Sequence, residues 1–426
     1  MLETIKYPAK AQWAELMKRA VADTAELHDT VAGILANVKA NGDQALKEYA
    51  SRFDKVELAS LRVSDAEFEE AKSALSDELK DAIDVAADNI ARFHEAQRMT
   101  EVRVETAPGV VCYQRATAIT NVGLYIPGGN SPLFSTVLML AMPARIAGCK
   151  NIVMCTPAGK DGKVHPAIVY AAWKCGVTHL YKSGGAQAVA AMAYGTESIP
   201  KVSKIFGPGN RFVMEAKMQV NSDGVAIDMP AGPSEVMVVA DGVANPRYVA
   251  SDFLSQAEHG PDSQSILLTT DEAFAEKLPA VIDELLATLP RQEMMKKSLS
   301  HSHVILLHDD EEVMEFVNEY APEHLILNCA NSDELAAQVV NAGSVFLGPY
   351  SPESAGDYAS GTNHTLPTSG FAKAYSGVNI DSFTKKVTFQ RLSQEGLKGI
   401  GGAIEAMAEA EDLMAHRLAV AVRLEE

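Results

Sequence analysis

Between about residue 106 and residue 370 the chain carries short β-branched runs separated by helix-length segments. They read "NVGLYIP", "NIVMCTP", "KIFGPG", "SEVMVVAD", "QSILLTT", "HVILLH", "HLILNC" and "GSVFLG". Each is bounded by turn residues and is strand-sized, whereas most intervals can hold a helix. Strands alternating with helices build α/β layers with largely parallel sheets. Two blocks are expected, residues 106–233 and 234–370. Residues 1–105 read as helical, with "DELKDAIDVAADNIARFHEAQ" apolar at three- and four-residue intervals, and are expected to pack on the second block. After residue 370 strand signals fade, and 371–426 is read as a helical tail with one long amphipathic helix over 395–423.

Bulk properties narrow the class. The 426 residues are 47% hydrophobic, enough to bury substantial cores without a disulfide or a structural metal. A net charge of −19 argues against nucleic acid or an anionic membrane as partner, since both need basic surface. Cys112, Cys149, Cys155, Cys175 and Cys329 are scattered without CxxC spacing, which suits free thiols in a reducing compartment. The N-terminus lacks the apolar core of a signal peptide, and "VLMLAMPA" is far short of a membrane span. A cytoplasmic protein is expected.

The first block contains three glycine-rich turns, "YIPGGNSP" (125–132), "KSGGAQAVAA" (182–191) and "FGPGNRF" (206–212). Glycine at a strand end lets backbone N–H groups approach a phosphate, and a following helix N-terminus favours its charge. None is a GxGxxG, so each reads equally as a plain turn.

The second block holds the denser polar signal. In "SDFLSQAEHGPDSQ", Gln256 and His259 stand three apart on a helix that Gly260 and Pro261 then stop. "YAPEHLIL" sets Glu323 beside His324 at a strand start, and "SPESAGDYASGTNHTLPT" puts Asp357 and His364 in a polar loop. Glu411 and His416 lie in the tail. Gln256, His259, Asp357 and His416 form a thiolate-free nitrogen and oxygen set that suits a catalytic divalent ion with open positions. Each member alone also reads as a polar group at an element end. Glu323 and His324 have the residue types of an acid/base pair, although strand neighbours point to opposite faces, leaving one free to face solvent. His301 and His303 in "HSHVILLH" match the HxH of metal-dependent hydrolases, but also read as an exposed strand entry.

These blocks, with "VGLYIPGG", "LMLAMPARIAGC", "GGAQAVAA", "DMPAGPSEV", "YSGVNIDSF" and "AEAEDLMAHRLAV", resemble the histidinol dehydrogenase family over nearly the whole chain. The resemblance implies two incomplete Rossmann-like α/β domains and a homodimer with exchanged C-terminal segments. It implies oxidation of L-histidinol to L-histidine by two NAD⁺, through a bound aldehyde, with one zinc ion per subunit. By position, Gln256, His259, Asp357 and His416 match the zinc ligands, and Glu323 and His324 the acid/base pair. Ser234, His364, Glu411 and the zinc ligands match substrate contacts, as does His324. Tyr125, Gln187 and Asn210, one from each glycine-rich turn, match the nucleotide contacts. A dehydrogenase of the same fold acting on another small polyol, such as a sulfonated propanediol, is the alternative.

Overall fold

The computed structural model describes residues 2–19, 25–128, 131–177 and 179–425. β1 (Glu3–Lys6) and the helix Lys10–Leu16 open the chain, followed by the helices Ala25–Tyr49, Asp65–Ala74 and Asp77–Glu95. β2 (Val102–Ala107) and β3 (Val110–Ala118) pair antiparallel. A parallel sheet follows, built from β4 (Asn121–Tyr125), β5 (Asn151–Thr156), β6 (His179–Lys182), β7 (Lys204–Phe206) and β8 (Ala226–Ile227). The second comprises β9 (Glu235–Ala240), β10 (Gln264–Thr269), β11 (His303–Leu306), β12 (His324–Asn328) and β13 (Ser344–Leu347). β14 (Thr384–Leu392) comes last.

The first sheet runs β6-β5-β4-β7-β8 and the second β1-β11-β10-β9-β12-β13, every pair parallel. Strand order therefore reverses between β4 and β7 in one sheet and between β9 and β12 in the other. Both faces of each sheet are covered, which is why β9 and β10 are buried along their whole length. Ile152, Met154 and Leu180 face one core of the first sheet, and Val153, Cys155 and Tyr181 the other. All five cysteines are free. No helix among the described residues is long and apolar enough to cross a membrane.

Three expectations are corrected. Most of residues 1–105 pack on the first sheet's layers rather than on the second block. The helix Ala25–Tyr49 lies against Gly185–Tyr194 and Arg211–Ser222, Asp65–Ala74 against Pro166–Lys174, and Asp77–Glu95 against Phe134–Ala147. Among the described residues, β1, the helix carrying Trp13 and Arg19 just after it join the second sheet. An apolar stripe such as Ile83, Ala86 and Ile90 announces a buried face but not the surface that buries it. The tail contains a nine-residue strand, β14, paired with β3 from Thr384↔Ala118 to Leu392↔Val110. Its side chains are half-buried or exposed, so the hydrophobic alternation that marks a strand is weak. The long terminal helix is two, Gln394–Ala410 and Met414–Leu424, broken where Asp412 turns left-handed at φ 57°.

Candidate active site

The site forms at the amino ends of β9 and β12, beside the second sheet's reversal. Glu323 and His324 are both buried, at 5% and 2% exposure, because β12 runs inside the sheet, between β9 and β13, and is covered on each face. Neither faces solvent, contrary to what strand alternation allowed. The Glu323 Oε2 accepts from the Glu235 backbone N–H at 3.0 Å. Three carboxylates close around the imidazole. His324 Nδ1 lies 3.7 Å from Glu323 Oε2 and 3.8 Å from Glu353 Oε1, and Nε2 lies 3.7 Å from Asp357 Oδ1. Burial alone would depress the imidazole, but Glu353, Glu323 and Asp357 together raise its pKa to about 10. Burial pushes the Glu323 carboxyl up to about 8, against the pull of His324.

The ligand-type residues converge from two elements. The helix Pro246–Ala257 starts at an Asn245 cap and carries Gln256 on its last turn. Gln256 is fully buried, and among the described residues neither of its amide atoms has a hydrogen-bond partner. His259 follows just past the helix end, with Nε2 4.0 Å from Asp357 Oδ2. Desolvation holds its imidazole toward the neutral form that can ligate a cation, against Asp357. Glu353 and Asp357 lie four apart on the short helix Glu353–Tyr358, on one face. His259, Glu353 and Asp357 each offer an atom within 4.8 Å of the others, the one such group among the described residues. Glu353 was missed in the sequence. Its signal was the four-residue spacing to Asp357 just after Pro352. Orphaned amide atoms and a converging nitrogen and oxygen set fit a divalent cation such as zinc.

His364 is held from both sides. Its Nδ1 is 2.9 Å from the Asp357 carbonyl and therefore donates, leaving Nε2 to accept from the Thr136 hydroxyl at 3.1 Å. Thr136 stands on the helix Phe134–Ala147 that follows β4, so the first sheet's carboxyl edge meets the second sheet's amino edge here. Ser234 is half-buried immediately before β9.

Tyr125 ends β4 and Asn210 follows β7, flanking the first sheet's reversal, the crevice where open α/β sheets bind nucleotides. The Tyr125 hydroxyl accepts from Gly185 N at 3.1 Å. Gln187 is buried in the next helix, its amide against Gly185. Asn210 caps the helix Arg211–Ser222, accepting from Phe212 N at 3.0 Å and Val213 N at 3.2 Å. Gly207 has φ 127°, and a Cβ there would sit 2.1 Å from the Tyr125 carbonyl oxygen. Only glycine allows that approach.

Two expected members stay outside. Glu411 and His416 are exposed, and among the described residues neither shares a hydrogen bond or ion pair with the cluster. Their helices pack on each other, with Arg417 near Glu405 at 3.8 Å and Glu409 at 3.7 Å. His301 is exposed, and no metal-type cluster includes it or His303 among the described residues, so nothing favours a hydrolase there.

Residues 17–424 match the family model described as histidinol dehydrogenase. Histidinol dehydrogenase of Bacteroides thetaiotaomicron is 58% identical, covering 100% of this chain and 99% of the relative. That of Escherichia coli is 52% identical, covering 98% of this chain and 95% of the relative. The crystal structure of histidinol dehydrogenase from Elizabethkingia anophelis superposes with a TM-score of 0.98 at 50% identity, over 100% of this chain and 98% of that one.

Proposed function

The chain belongs to the histidinol dehydrogenase family, and from that premise we propose how its clustered residues oxidise L-histidinol to L-histidine, the last step of histidine biosynthesis. The observation that carries the reading is one buried imidazole, His324, enclosed by Glu323, Glu353 and Asp357 at 3.7–3.8 Å.

Gln256, His259 and Asp357 would hold a zinc ion, which when bound supplies a template that fixes the substrate's imidazole and amino nitrogens. NAD⁺, placed against Tyr125, Gln187 and Asn210, supplies the hydride acceptor in each of two oxidations. His324 takes the proton of the alcohol as hydride departs, and the surrounding carboxylates stabilise the imidazolium that forms. Glu323 takes a proton from water as that water adds to the aldehyde carbon. The carbonyl oxygen takes back the proton that His324 gained in the first oxidation, giving a gem-diol. His324, deprotonated again, accepts the diol's proton as the next hydride departs, and Glu323 returns its proton to solvent. Ser234 and His364 contact the substrate, His364 with its tautomer fixed by Asp357 and Thr136.

Glu411 and His416 enter from a second copy. The two terminal helices expose Met407, Leu413, Met414, Leu418 and Val422, an apolar surface that a partner would cover. In a two-fold dimer the partner subunit's His416 would complete the ligand set and the partner subunit's Glu411 the substrate contacts.

Separate assays of the two halves test these roles. His324→Asn is expected to stop NADH formation from both histidinol and added histidinal, a loss of about 10²–10⁴. Glu323→Gln is expected to slow the aldehyde half at least as much as the alcohol half. The opposite order would reverse the assignment. Because the carboxylates raise the His324 pKa to about 10, its base form grows with pH, and kcat/KM is expected to climb through the neutral range.

A further inference from the structure

Arg19 follows the first helix of the chain, yet its guanidinium lies at the foot of the catalytic pair. Its Nε is 2.5 Å from Glu235 Oε2 and its Nη2 2.9 Å from Glu235 Oε1, a two-nitrogen fork on one carboxylate. Nη2 also donates to the Tyr320 carbonyl at 2.8 Å, and the guanidinium lies over the Tyr320 ring, 3.8 Å from its centroid. The Tyr320 hydroxyl donates to Gln264 Oε1 at 2.7 Å and approaches Glu235 Oε2 at 3.3 Å. Ser369 N donates to Glu235 Oε1 at 3.1 Å. Glu235 is only 1% exposed, so its carboxylate depends on these partners. Its own backbone N–H donates to Glu323 Oε2.

We propose that Arg19 is a positioning residue for Glu323, anchoring the buried Glu235 carboxylate so that the Glu235 backbone holds Glu323 in its working orientation. The inference rests on the reading of Glu323 as the residue that activates water. Without Arg19, the buried Glu235 carboxyl loses the cation that keeps it ionised, and it either swings away and drags the first peptide of β9 with it or takes up a proton where it stands. Both disturb Glu323 first, whereas His324 keeps Asp357 at its Nε2 and shares with Glu235 only the 3.4 Å approach of its Nδ1 to the Glu235 carbonyl. The charged groups facing Glu323 are Glu235 from β9, His324 on its own strand and Glu353 from the helix Glu353–Tyr358. Arg19 and Tyr320 stand behind Glu235.

The test uses full-length, zinc-loaded Arg19→Met, with Glu323→Gln as reference, assayed separately on histidinol and histidinal. Arg19→Met is expected to lower kcat of the aldehyde half about 10- to 100-fold more than that of the alcohol half, with KM little changed. It should also move the acid limb of the aldehyde half to higher pH, since Glu323 then loses the Glu235 N–H that stabilises its ionised form. Adding Glu235→Gln, whose neutral amide needs no cation behind it, should restore that hydrogen bond and move the limb back, which a merely structural role does not predict. Equal slowing of both halves, an effect on KM alone or an unmoved limb overturns the proposal while leaving Glu323 its role. A Glu323→Gln enzyme that does not single out the aldehyde half removes the underlying reading, and the proposal with it. If Arg19→Met fails to fold, Arg19→Lys keeps the charge but not the fork, and for it the selective loss in the aldehyde half alone decides, equal slowing of both halves overturning the proposal.

Discussion

His324 is made a strong base by the carboxylates that crowd it, whereas burial alone burdens a carboxyl on the neighbouring helix. Asp252, one helical turn before Gln256, is 7% exposed, and burial pushes its pKa up to about 7. A carboxyl raised in the folded state favours folding while neutral, below its ordinary pKa, and loses that contribution as pH rises toward 7. In metal-free protein, Asp252→Asn is therefore expected to raise the melting temperature by roughly 1 °C at pH 8, for about 1 kcal/mol, and by less at pH 5. An equal gain at both values would mean that charge is not the cause. His259 makes the complementary case. It sits past a helix end rather than in a core, so His259→Ala should abolish activity and most bound zinc while the circular dichroism spectrum stays native. Full zinc occupancy in a folded, inactive variant would remove His259 from the ligand set.

Elements differed in how plainly the sequence announced them. The strands of the two parallel sheets are continuous apolar runs such as "EVMVVA", because both faces are buried, and such runs stand out from their turns. β14 was hidden because its charged, half-exposed side chains leave only the backbone pairing to define it. The helix stop after Gln256 was legible from Gly260 and Pro261, and it delivers His259 to Asp357. Glu353 was not picked out, since one glutamate in a polar loop looks like any other until the fold buries it. Asp412 carries no residue-type warning of its left-handed turn, so the tail read as one helix. That tail supports a test of crossing. His416→Ala and His324→Asn are each expected to be inactive alone. Refolded together at equal amounts, they should recover roughly a quarter of wild-type activity, since about half the dimers are mixed and each then holds one whole site. Inactivity in demonstrably mixed dimers would mean that each chain uses its own tail.

Across the whole molecule, the two sheets contribute opposite edges to one place. The first presents its carboxyl edge, with Tyr125 and the Gly207 turn, and the second its amino edge, with Glu235 and His324. Thr136 and His364 hydrogen-bond across the junction. On the proposed reading, a nucleotide crevice and a proton-transfer cluster so joined would let both oxidations proceed without the aldehyde leaving. The most direct measurement supplies purified, zinc-loaded enzyme with L-histidinol and excess NAD⁺, and counts NADH against histidine and free histidinal. Two NADH for each histidine, with no histidinal accumulating in solution, is the predicted result. One NADH for each histidinol consumed, with the aldehyde released, would contradict a single centre that carries out both steps.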